Sequence, residues 1–395
     1  MSLNNIIGAT LIVAGTTIGA GMLGLPMVAV KFGILKSIFL ICFMWMIMCY
    51  SALLQAKVLC NTPGAMSIAS LAYAHLGTWA RIVGGICLLI LFYALLTAYL
   101  SGASSIISNF EIVKIEPHHI ALIITAFMII LFSTQIKLID MTNRLIFIVK
   151  LAALIVVLIT LSNIVEVKDV NQLPKLEEIH ISTAILIFFI SFGFHGSIPA
   201  LVKYLNHHYP SIRKSLIIGS SIPLVLFIFW TVLSLLALYS SNDSIQAEFF
   251  QNTDNLNAFH RLLTSHGSKW HHIVLNVFML GAILTSYLGV AIGLLEYIRE
   301  YEIIKNKKYN QQFSAVLTIG IPFIFVLTIG QTFIKALSLG AAMLAFIAVV
   351  IPSLVALKTR TRNAMLTFHT NQVFICLNLL FGLSILVIEL IVLLS

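Results

Sequence analysis

Charged residues are scarce in this sequence. Of its 395 residues, 23 are Lys or Arg and 14 are Asp or Glu, so charged side chains make up only 9% of the chain. A soluble domain carries about 25%, whereas 60% of this chain is hydrophobic and its mean hydropathy is +1.04. We therefore predict an all-α polytopic membrane protein. The basic residues are dispersed over the loops, so the net charge of +9 does not indicate a nucleic-acid partner.

Cysteine is also rare, and long polar segments are few. The five cysteines are odd in number and show no metal-ligand spacing, so we expect small core residues, no metal site and no cofactor. Met1 leads almost directly into an apolar segment, without a basic region or a clear cleavage site, and we expect no signal peptide.

Eleven apolar segments are long enough, at roughly 20 residues, to cross a bilayer. They lie at about 6–31, 34–59, 79–109, 117–135, 142–163, 181–206, 212–240, 270–298, 312–329, 333–357 and 371–394. We expect one transmembrane domain over 1–395, a short interfacial helix at 64–76, and two amphipathic pieces at 245–251 and 256–265.

The Lys and Arg residues predict the orientation. With a cytoplasmic N-terminus, the inner loops hold Lys57, Arg81, Lys137, Arg144, Lys203, Arg213, Lys214, Arg299, Lys305, Lys307, Lys308, Lys358, Arg360 and Arg362. The outer loops hold Lys31, Lys36, Lys114, Lys168, Lys175, Arg261, Lys269 and Lys335. Because positive charge is enriched inside, this bias predicts a cytoplasmic N-terminus and, with eleven spans, a periplasmic C-terminus.

Glycine and threonine interrupt the first apolar segment. Three glycines and two threonines occupy its centre at 15–21, and Pro26 follows. Glycine costs about 1 kcal/mol in a helix interior, so we predict two half-helices joined by unwound backbone over Gly15–Gly21. Unwound backbone is tolerated in a membrane only where it is buried in protein or lines a cavity, as in the substrate sites of secondary transporters.

The sixth segment carries a similar interruption, five segments later. Ser191–Pro199 contains two glycines, a histidine and a proline. Matching interruptions predict an inverted repeat of five plus five spans, with halves at about 6–163 and 181–357 and an extra helix at 371–394. This is the architecture of the leucine-transporter (LeuT) fold. The alternative is a pair of closely packed glycine-containing helices.

Three stretches resemble one known family. Ala14–Pro26, Ser191–Pro199 and Thr285–Leu294 are similar to the bacterial aromatic amino acid permeases of the amino acid–polyamine–organocation superfamily. The resemblance extends over nearly the whole chain, weakens at 241–269 and after Lys358, and is strongest toward the tyrosine-specific group. It implies a transporter of the bacterial cytoplasmic membrane.

An amino acid substrate requires donors for its carboxylate and acceptors for its ammonium. Amides at the start of a half-helix suit the carboxylate, and free carbonyls suit the ammonium. We assign the substrate backbone to Gly15, Thr16, Thr17, Ile18, Gly19, Ala20 and Gly21, with carbonyls around Phe189–Phe192. The candidates for an aromatic side-chain pocket are Phe189, Phe192, Gly193, Phe194, Tyr93, Thr97, Tyr99, Thr285 and Ser286. For any one of these, ordinary packing is the alternative.

Two ionisable residues lie within apolar segments. Lys150 lies about two turns into the fifth segment, and the resemblance implies that a lysine there replaces a sodium ion, giving proton coupling. Its alternative is snorkelling to the cytoplasmic face. His195 lies within the sixth segment, and related transporters suggest a gating or coupling role there. Its alternative is a neutral histidine bonded to backbone.

The function expected from the sequence is tyrosine import by proton symport. A broader permease for tryptophan and phenylalanine remains open, and a channel or a membrane enzyme is the alternative of another class. The expected partners are an aromatic amino acid, a proton and membrane lipid, without nucleic acid and without an obligatory protein partner.

Overall fold

Helices account for the regular structure of the protein. The computed structural model describes residues 3–30, 32–62, 67–108, 110, 115–133, 136–164, 181–251, 256–265, 268–304, 310–330, 333–360 and 371–394, and no strand occurs within these ranges. Eight of the cations used for the orientation lie outside them, namely Lys31, Lys114, Lys168, Lys175, Lys305, Lys307, Lys308 and Arg362.

Seventeen α-helices follow one another in these ranges. They are α1 (Leu3–Thr17), α2 (Gly21–Ala29), α3 (Gly33–Cys60), α4 (Ile68–Leu76), α5 (Thr78–Ser108), α6 (Pro117–Phe132), α7 (Ile136–Ile164), α8 (Ile181–Ile190), α9 (Ile198–Tyr204), α10 (Tyr209–Ser240), α11 (Asp243–Gln251), α12 (Leu256–Thr264), α13 (Lys269–Ile304), α14 (Gln311–Ile329), α15 (Phe333–Ala345), α16 (Ile351–Arg360) and α17 (Gln372–Leu394).

Nine helical segments of the described chain are long and apolar enough to cross a membrane. One of them, Ile181–Tyr204, includes the interruption between α8 and α9. A tenth arises if α1 and α2, which meet at 53°, form one bent span. The remaining predicted segment, the fourth at 117–135, corresponds to α6, a shorter apolar helix. Nine to ten candidate spans are therefore found, and eleven remains a prediction.

Large apolar side chains cover much of the outer surface. On α6, Leu122, Ile123, Phe127 and Ile130 are all exposed. A soluble monomer rarely exposes apolar patches of this kind, whereas lipid would cover them. Of the five cysteines, only Cys49 is buried and the other four are half-buried, so the expected core position holds for one.

The first predicted break is shorter in the structure than in the sequence analysis. Only Ile18–Ala20 lies between α1 and α2, and Gly15, Thr16 and Thr17 are helical. The two threonine hydroxyls bond back to carbonyls one turn earlier, Thr16 to Ile12 at 2.9 Å and Thr17 to Val13 at 2.7 Å. These bonds are compatible with a helix. The expectation of unwound backbone was therefore wrong at 15–17, and also at Gly21, where α2 begins.

The sixth segment is interrupted as predicted. Helix α8 ends at Ile190, residues 191–194 are not helical, and His195–Ser197 forms one 3₁₀ turn before α9 begins at Ile198. A third irregularity was not predicted. Between α15 and α16, Phe346–Val350 forms a π-helical turn, two residues before Pro352. Single π-helical turns within α-helices are frequent at functional sites.

Short helices lie between the spans. Helix α4 begins with reciprocal hydrogen bonds between Ser67 and Ser70, and it lies where the interfacial helix was predicted. Helices α11 and α12 match the two amphipathic pieces of the 241–269 insert. The apolar face of α12 is buried, with Phe259 against Trp230 of α10 at a ring distance of 6.0 Å. The insert therefore packs on the helical bundle.

Candidate functional site

The break between α1 and α2 leaves one carbonyl without its helical partner. In a continuous helix the Met22 amide would donate to the Ile18 carbonyl. Instead it donates to Gly19 at 3.2 Å, and the next amide, of Leu23, donates to Ala20 at 3.0 Å. The Ile18 carbonyl is thus free to accept a hydrogen bond from another span.

Lys150 of α7 supplies that hydrogen bond. Its Nζ donates to the Ile18 carbonyl at 2.6 Å and to Thr285 Oγ1 of α13 at 2.7 Å. Thr285 in turn donates to the Gly281 carbonyl at 2.9 Å, so its oxygen is oriented to accept from the lysine. Lys150 is 2% exposed and lies 4.8 Å from the Phe147 ring centre. This position, between the first, fifth and eighth predicted spans, does not fit snorkelling to an interface.

Ser286 links α13 to the start of α2. Its Oγ accepts from the Ala20 amide at 2.9 Å and donates to the Ala282 carbonyl at 2.9 Å. A Cβ on Gly19 would lie 2.5 Å from this oxygen, so only glycine permits the approach. The Tyr99 side chain of α5 also faces Ser286. The Ala20 amide and the Tyr99 phenol therefore both lie beside the Ser286 hydroxyl.

The two interruptions contact each other. Ser191 Oγ, at the start of the second break, lies 3.1 Å from the Gly21 carbonyl and 2.7 Å from the Ile187 carbonyl. A Cβ on Gly21 would lie 3.3 Å from Ser191 Cα. Ser191 was not among the predicted site residues, although it belongs to the motif that predicted the break. The two broken segments are thus in direct contact at this point.

The structure brings together only part of the predicted set. Ile18, Gly19, Ala20, Gly21, Tyr99, Lys150, Thr285 and Ser286 lie around the first break. Gly15 packs in α1, where a Cβ would lie 3.3 Å from Phe147 of α7, and Thr17 is buried in α1. Thr16 is exposed and Thr97 bonds to the Tyr93 carbonyl of its own helix.

The predicted aromatic residues of the sixth segment point in several directions. Phe189 packs against Phe381 of α17, and Phe192 against Phe227 of α10. Phe194 stacks on His195 with ring centres 5.1 Å apart. Gly193 is exposed at the break. These contacts are those of core packing, and no role in binding follows from them.

His195 is fully buried in the 3₁₀ turn. Its carbonyl accepts from Gln55 Nε2 of α3 at 3.2 Å, and its ring lies beside the Met48 backbone. Neither ring nitrogen reaches hydrogen-bond geometry with another group among the described residues. Gln55, also fully buried, was missed by the sequence analysis. The local sequence signal is Pro199, four residues after the carbonyl that Gln55 bonds, and it does not identify Gln55 as the donor.

Helix α12 covers the side of the bundle where α10 and α13 carry Trp230 and Asn276. His260 of α12 is buried and hydrogen-bonded to the Asn276 amide oxygen. Burial lowers the pKa of His260, the Asn276 contact opposes this, and His272 and Arg261 add to the lowering. Arg261 also pairs with Glu248 of α11. His271 of α13 is buried and bonds Thr160 of α7 at 2.9 Å.

Comparison with known proteins gives matches over nearly the full length of the chain. It is 31% identical over 375 residues to "Tyrosine-specific transport system 1" of Haemophilus influenzae, covering 93% of this chain and 91% of that protein. It is 31% identical over 401 residues to "Tyrosine-specific transport system 2" of the same organism, covering 98% and 96%. It is 27% identical over 394 residues to "Glutamine transporter 2" of Aliivibrio fischeri, covering 96% and 98%.

The family match covers almost every residue. The tryptophan/tyrosine permease family aligns with residues 2–390, which include both interrupted segments and Lys150. The expected resemblance to aromatic amino acid permeases is confirmed by this match and by the two Haemophilus relatives. The chain belongs to the tryptophan/tyrosine permease family.

Proposed function

We propose that this protein is a secondary active transporter that imports tyrosine across the bacterial inner membrane together with a proton. The single observation that carries the proposal is the Lys150 ammonium, buried between the break in the first segment and Thr285. Family membership excludes the membrane-enzyme alternative. The aromatic substrate class is supported by the family and by the relatives named for tyrosine.

The first break offers the groups that an amino acid needs. The amides at the start of α2 carry the positive end of a helix dipole, which suits a carboxylate. Ser286 already accepts from one of them, the Ala20 amide, which places a hydroxyl beside the proposed carboxylate position. Carbonyls of the two breaks suit the ammonium. Tyr99, facing Ser286, gives the aromatic ring of the substrate a neighbour of matching chemistry.

Lys150 would couple transport to the proton. When protonated, it donates to both the Ile18 carbonyl and Thr285, and so ties α7 and α13 to the broken segment. A neutral amine keeps fewer donors and loses its charge-assisted hydrogen bonds. Protonation therefore favours the state in which these three segments are joined, and deprotonation favours their separation. His195 would be a second site of proton binding.

The proposed architecture is eleven spans with a LeuT-type repeat of five plus five. Its support is the pair of interruptions, at 18–20 and 191–194, which contact each other through Ser191 and Gly21. The N-terminus would be cytoplasmic and the C-terminus periplasmic, as the charge bias predicts.

Uptake into proteoliposomes tests the proposal. Labelled tyrosine should accumulate above its external concentration when an inward proton gradient is imposed, in the absence of sodium. A channel would only equilibrate tyrosine. A sodium requirement, or equilibration without accumulation, would contradict the proposal. Collapsing the gradient with a protonophore should release the accumulated label.

Competition defines the substrate range. Unlabelled tyrosine, tryptophan, phenylalanine, leucine and glutamine should be compared as inhibitors of tyrosine uptake. We expect the aromatic amino acids to inhibit more strongly than leucine. Glutamine is included because one relative is named for it. Equal inhibition by tryptophan and phenylalanine would favour the broader aromatic permease, and strong inhibition by glutamine or leucine would contradict an aromatic-specific site.

A further inference from the structure

Prolines within the interrupted spans leave particular carbonyls without a helical partner. A proline has no N–H, so the carbonyl four residues before it receives no main-chain hydrogen bond from it. In an apolar interior such a carbonyl is normally satisfied by another group. The identity of that group shows which span holds the interrupted one in position.

In the first interrupted span, the donor comes from α10. Pro26 lies within α2 and offers no N–H to the Met22 carbonyl. The indole Nε1 of Trp230 donates to this carbonyl at 3.0 Å, in a fully buried position. The Trp230 ring is fixed from the side by Phe278 of α13, at a ring distance of 5.1 Å.

In the sixth span, the donor comes from α3. Pro199 offers no N–H to the His195 carbonyl, which accepts from the Ile198 amide within the 3₁₀ turn. The remaining acceptor site receives Gln55 Nε2 at 3.2 Å. One turn earlier on α3, Ser51 Oγ donates at 2.6 Å to the Ala348 carbonyl, which lies four residues before Pro352 in the π-helical turn. Helix α3 therefore donates hydrogen bonds to carbonyls of two spans that contain a proline.

We propose that Trp230 and Gln55 are positioning residues, each of which fixes the second half-helix of one broken span through a carbonyl, at or just before the start of that half-helix, that lies four residues before a proline. The inference rests on the proposed transport function and names the residues that control its binding site. The arrangement is reciprocal. Helix α10 is the second span of the second proposed half and holds the broken span of the first half. Helix α3 is the second span of the first proposed half and holds the broken span of the second half.

The geometry separates this role from simple packing. The hydrogen bond from Trp230 ends on the first turn of α2, one residue after the Gly21 carbonyl that Ser191 contacts. A change in the angle of α2 relative to α10 must lengthen it. The same holds for α9 relative to α3 through Gln55. We call these two hydrogen bonds, from Trp230 to the Met22 carbonyl and from Gln55 to the His195 carbonyl, the clamps. Each clamp therefore controls the orientation of the backbone groups that face the substrate.

The test removes each donor while keeping the shape of the side chain. Trp230→Phe keeps an aromatic ring, and Gln55→Leu keeps a side chain of similar size. The chain offers matched controls. Trp45 donates its Nε1 to Ser220 Oγ at 3.0 Å, and Gln311 donates its Nε2 to the Phe132 carbonyl at 3.0 Å. Trp45→Phe and Gln311→Leu thus lose a part-buried hydrogen bond from the same donor type, away from the carbonyls that precede Pro26 and Pro199 by four residues.

We expect Trp230→Phe and Gln55→Leu to raise the KM for tyrosine uptake by about tenfold, since losing one buried hydrogen bond corresponds to roughly that ratio. The two control variants should stay close to the unaltered protein. Restoration of uptake by a second substitution, at the proline, distinguishes the proposed role from simple packing. Pro26→Ala returns an N–H to the Met22 carbonyl and should restore much of the loss in Trp230→Phe. Pro199→Ala should do the same for Gln55→Leu and should not help Gln311→Leu.

Hydrogen–deuterium exchange in nanodiscs gives a measurement that is independent of transport. Trp230→Phe should raise amide exchange in Met22–Ala29, and Gln55→Leu should raise it in Ile198–Tyr204, each reversed by its proline substitution. If the unaltered protein does not transport tyrosine but these exchange changes occur, the transport function fails and the clamps stand. If transport occurs and both variants match their controls, or if the prolines give no rescue, the clamps are refuted.

Discussion

A single methyl group at Gly281 should disturb the proposed proton site without touching its polar atoms. Gly281 lies on α13, where it permits close contact with α7. A Cβ at this position would lie 2.7 Å from Lys150 Cβ and 3.5 Å from Lys150 Cα. Gly281→Ala therefore acts on the part of Lys150 that is fixed to the helix, where no bond rotation can remove the clash.

The displacement follows from these distances. Ordinary contact begins at 3.4 Å, so α7 and α13 must move apart by about 0.7 Å at this point, which is the difference from 2.7 Å. If the shift carries to Nζ, the 2.7 Å hydrogen bond to Thr285 of α13 lengthens to about 3.4 Å, beyond the usual range of about 2.7–3.2 Å. Overpacking of this size costs about 1–3 kcal/mol.

The assay is proton-driven accumulation of tyrosine in proteoliposomes, with thermal unfolding measured on the same preparations. Gly289→Ala is the control, because it makes the same substitution on the same helix at a site where a Cβ meets nothing within 4 Å. We expect Gly281→Ala to lose most of its accumulation and Gly289→Ala to keep it. Lys150→Met should add little to the loss in Gly281→Ala, since both act on one contact. Accumulation by Gly281→Ala equal to that of Gly289→Ala would refute the reasoning.

Three further predictions concern the rest of the site. Gly19→Val should abolish uptake in a protein that still folds, because its side chain would displace the Ser286 hydroxyl from the Ala20 amide; normal uptake by this variant would contradict the role of the break. Lys150→Ala should lose accumulation but keep exchange of labelled for unlabelled tyrosine, and accumulation that persists would make His195 the remaining candidate for the proton. Because burial lowers the pKa of His260, the unfolded chain binds a proton at this residue more readily than the folded protein does, so stability should fall as the pH drops through the ordinary histidine value of about 6.5. The melting temperature of His260→Gln should depend less on pH across this range, and an unchanged dependence would contradict the assignment.

The two interruptions could be predicted from the sequence because glycine and proline act locally. Their extent could not. Gly15, Thr16 and Thr17 satisfy the pattern of a weak helix, yet the threonine hydroxyls bond to carbonyls of their own helix and α1 continues to Thr17. Lys150 stood out in the sequence because it is an ionisable residue within an apolar segment, and the structure places its ammonium beside the break. Its role in coupling remains a prediction.

The side chains that donate to the Met22 and His195 carbonyls could not be predicted from sequence patterns. Proline predicts that the Met22 and His195 carbonyls lack one hydrogen bond, but it does not show which distant side chain replaces it. Gln55 and Trp230 lie in apolar runs where their burial depends on how the helices pack. The π-helical turn at Phe346–Val350 has an apolar sequence without glycine, and only Pro352 gives a local signal.

The bend between α1 and α2 sets a limit on how this protein can open. Helix α2 has nine residues, so its axis is about 13 Å long at roughly 1.5 Å per residue. A rotation of about 10° at the break moves the far end of such a rod by only about 2 Å, which is less than the thickness of an aromatic ring. Tilting α2 alone by this amount therefore opens no passage for a tyrosine. A wider opening at such a small rotation requires neighbouring helices to move together with α2. The indole of Trp230 joins α2 to α10, a helix of 32 residues.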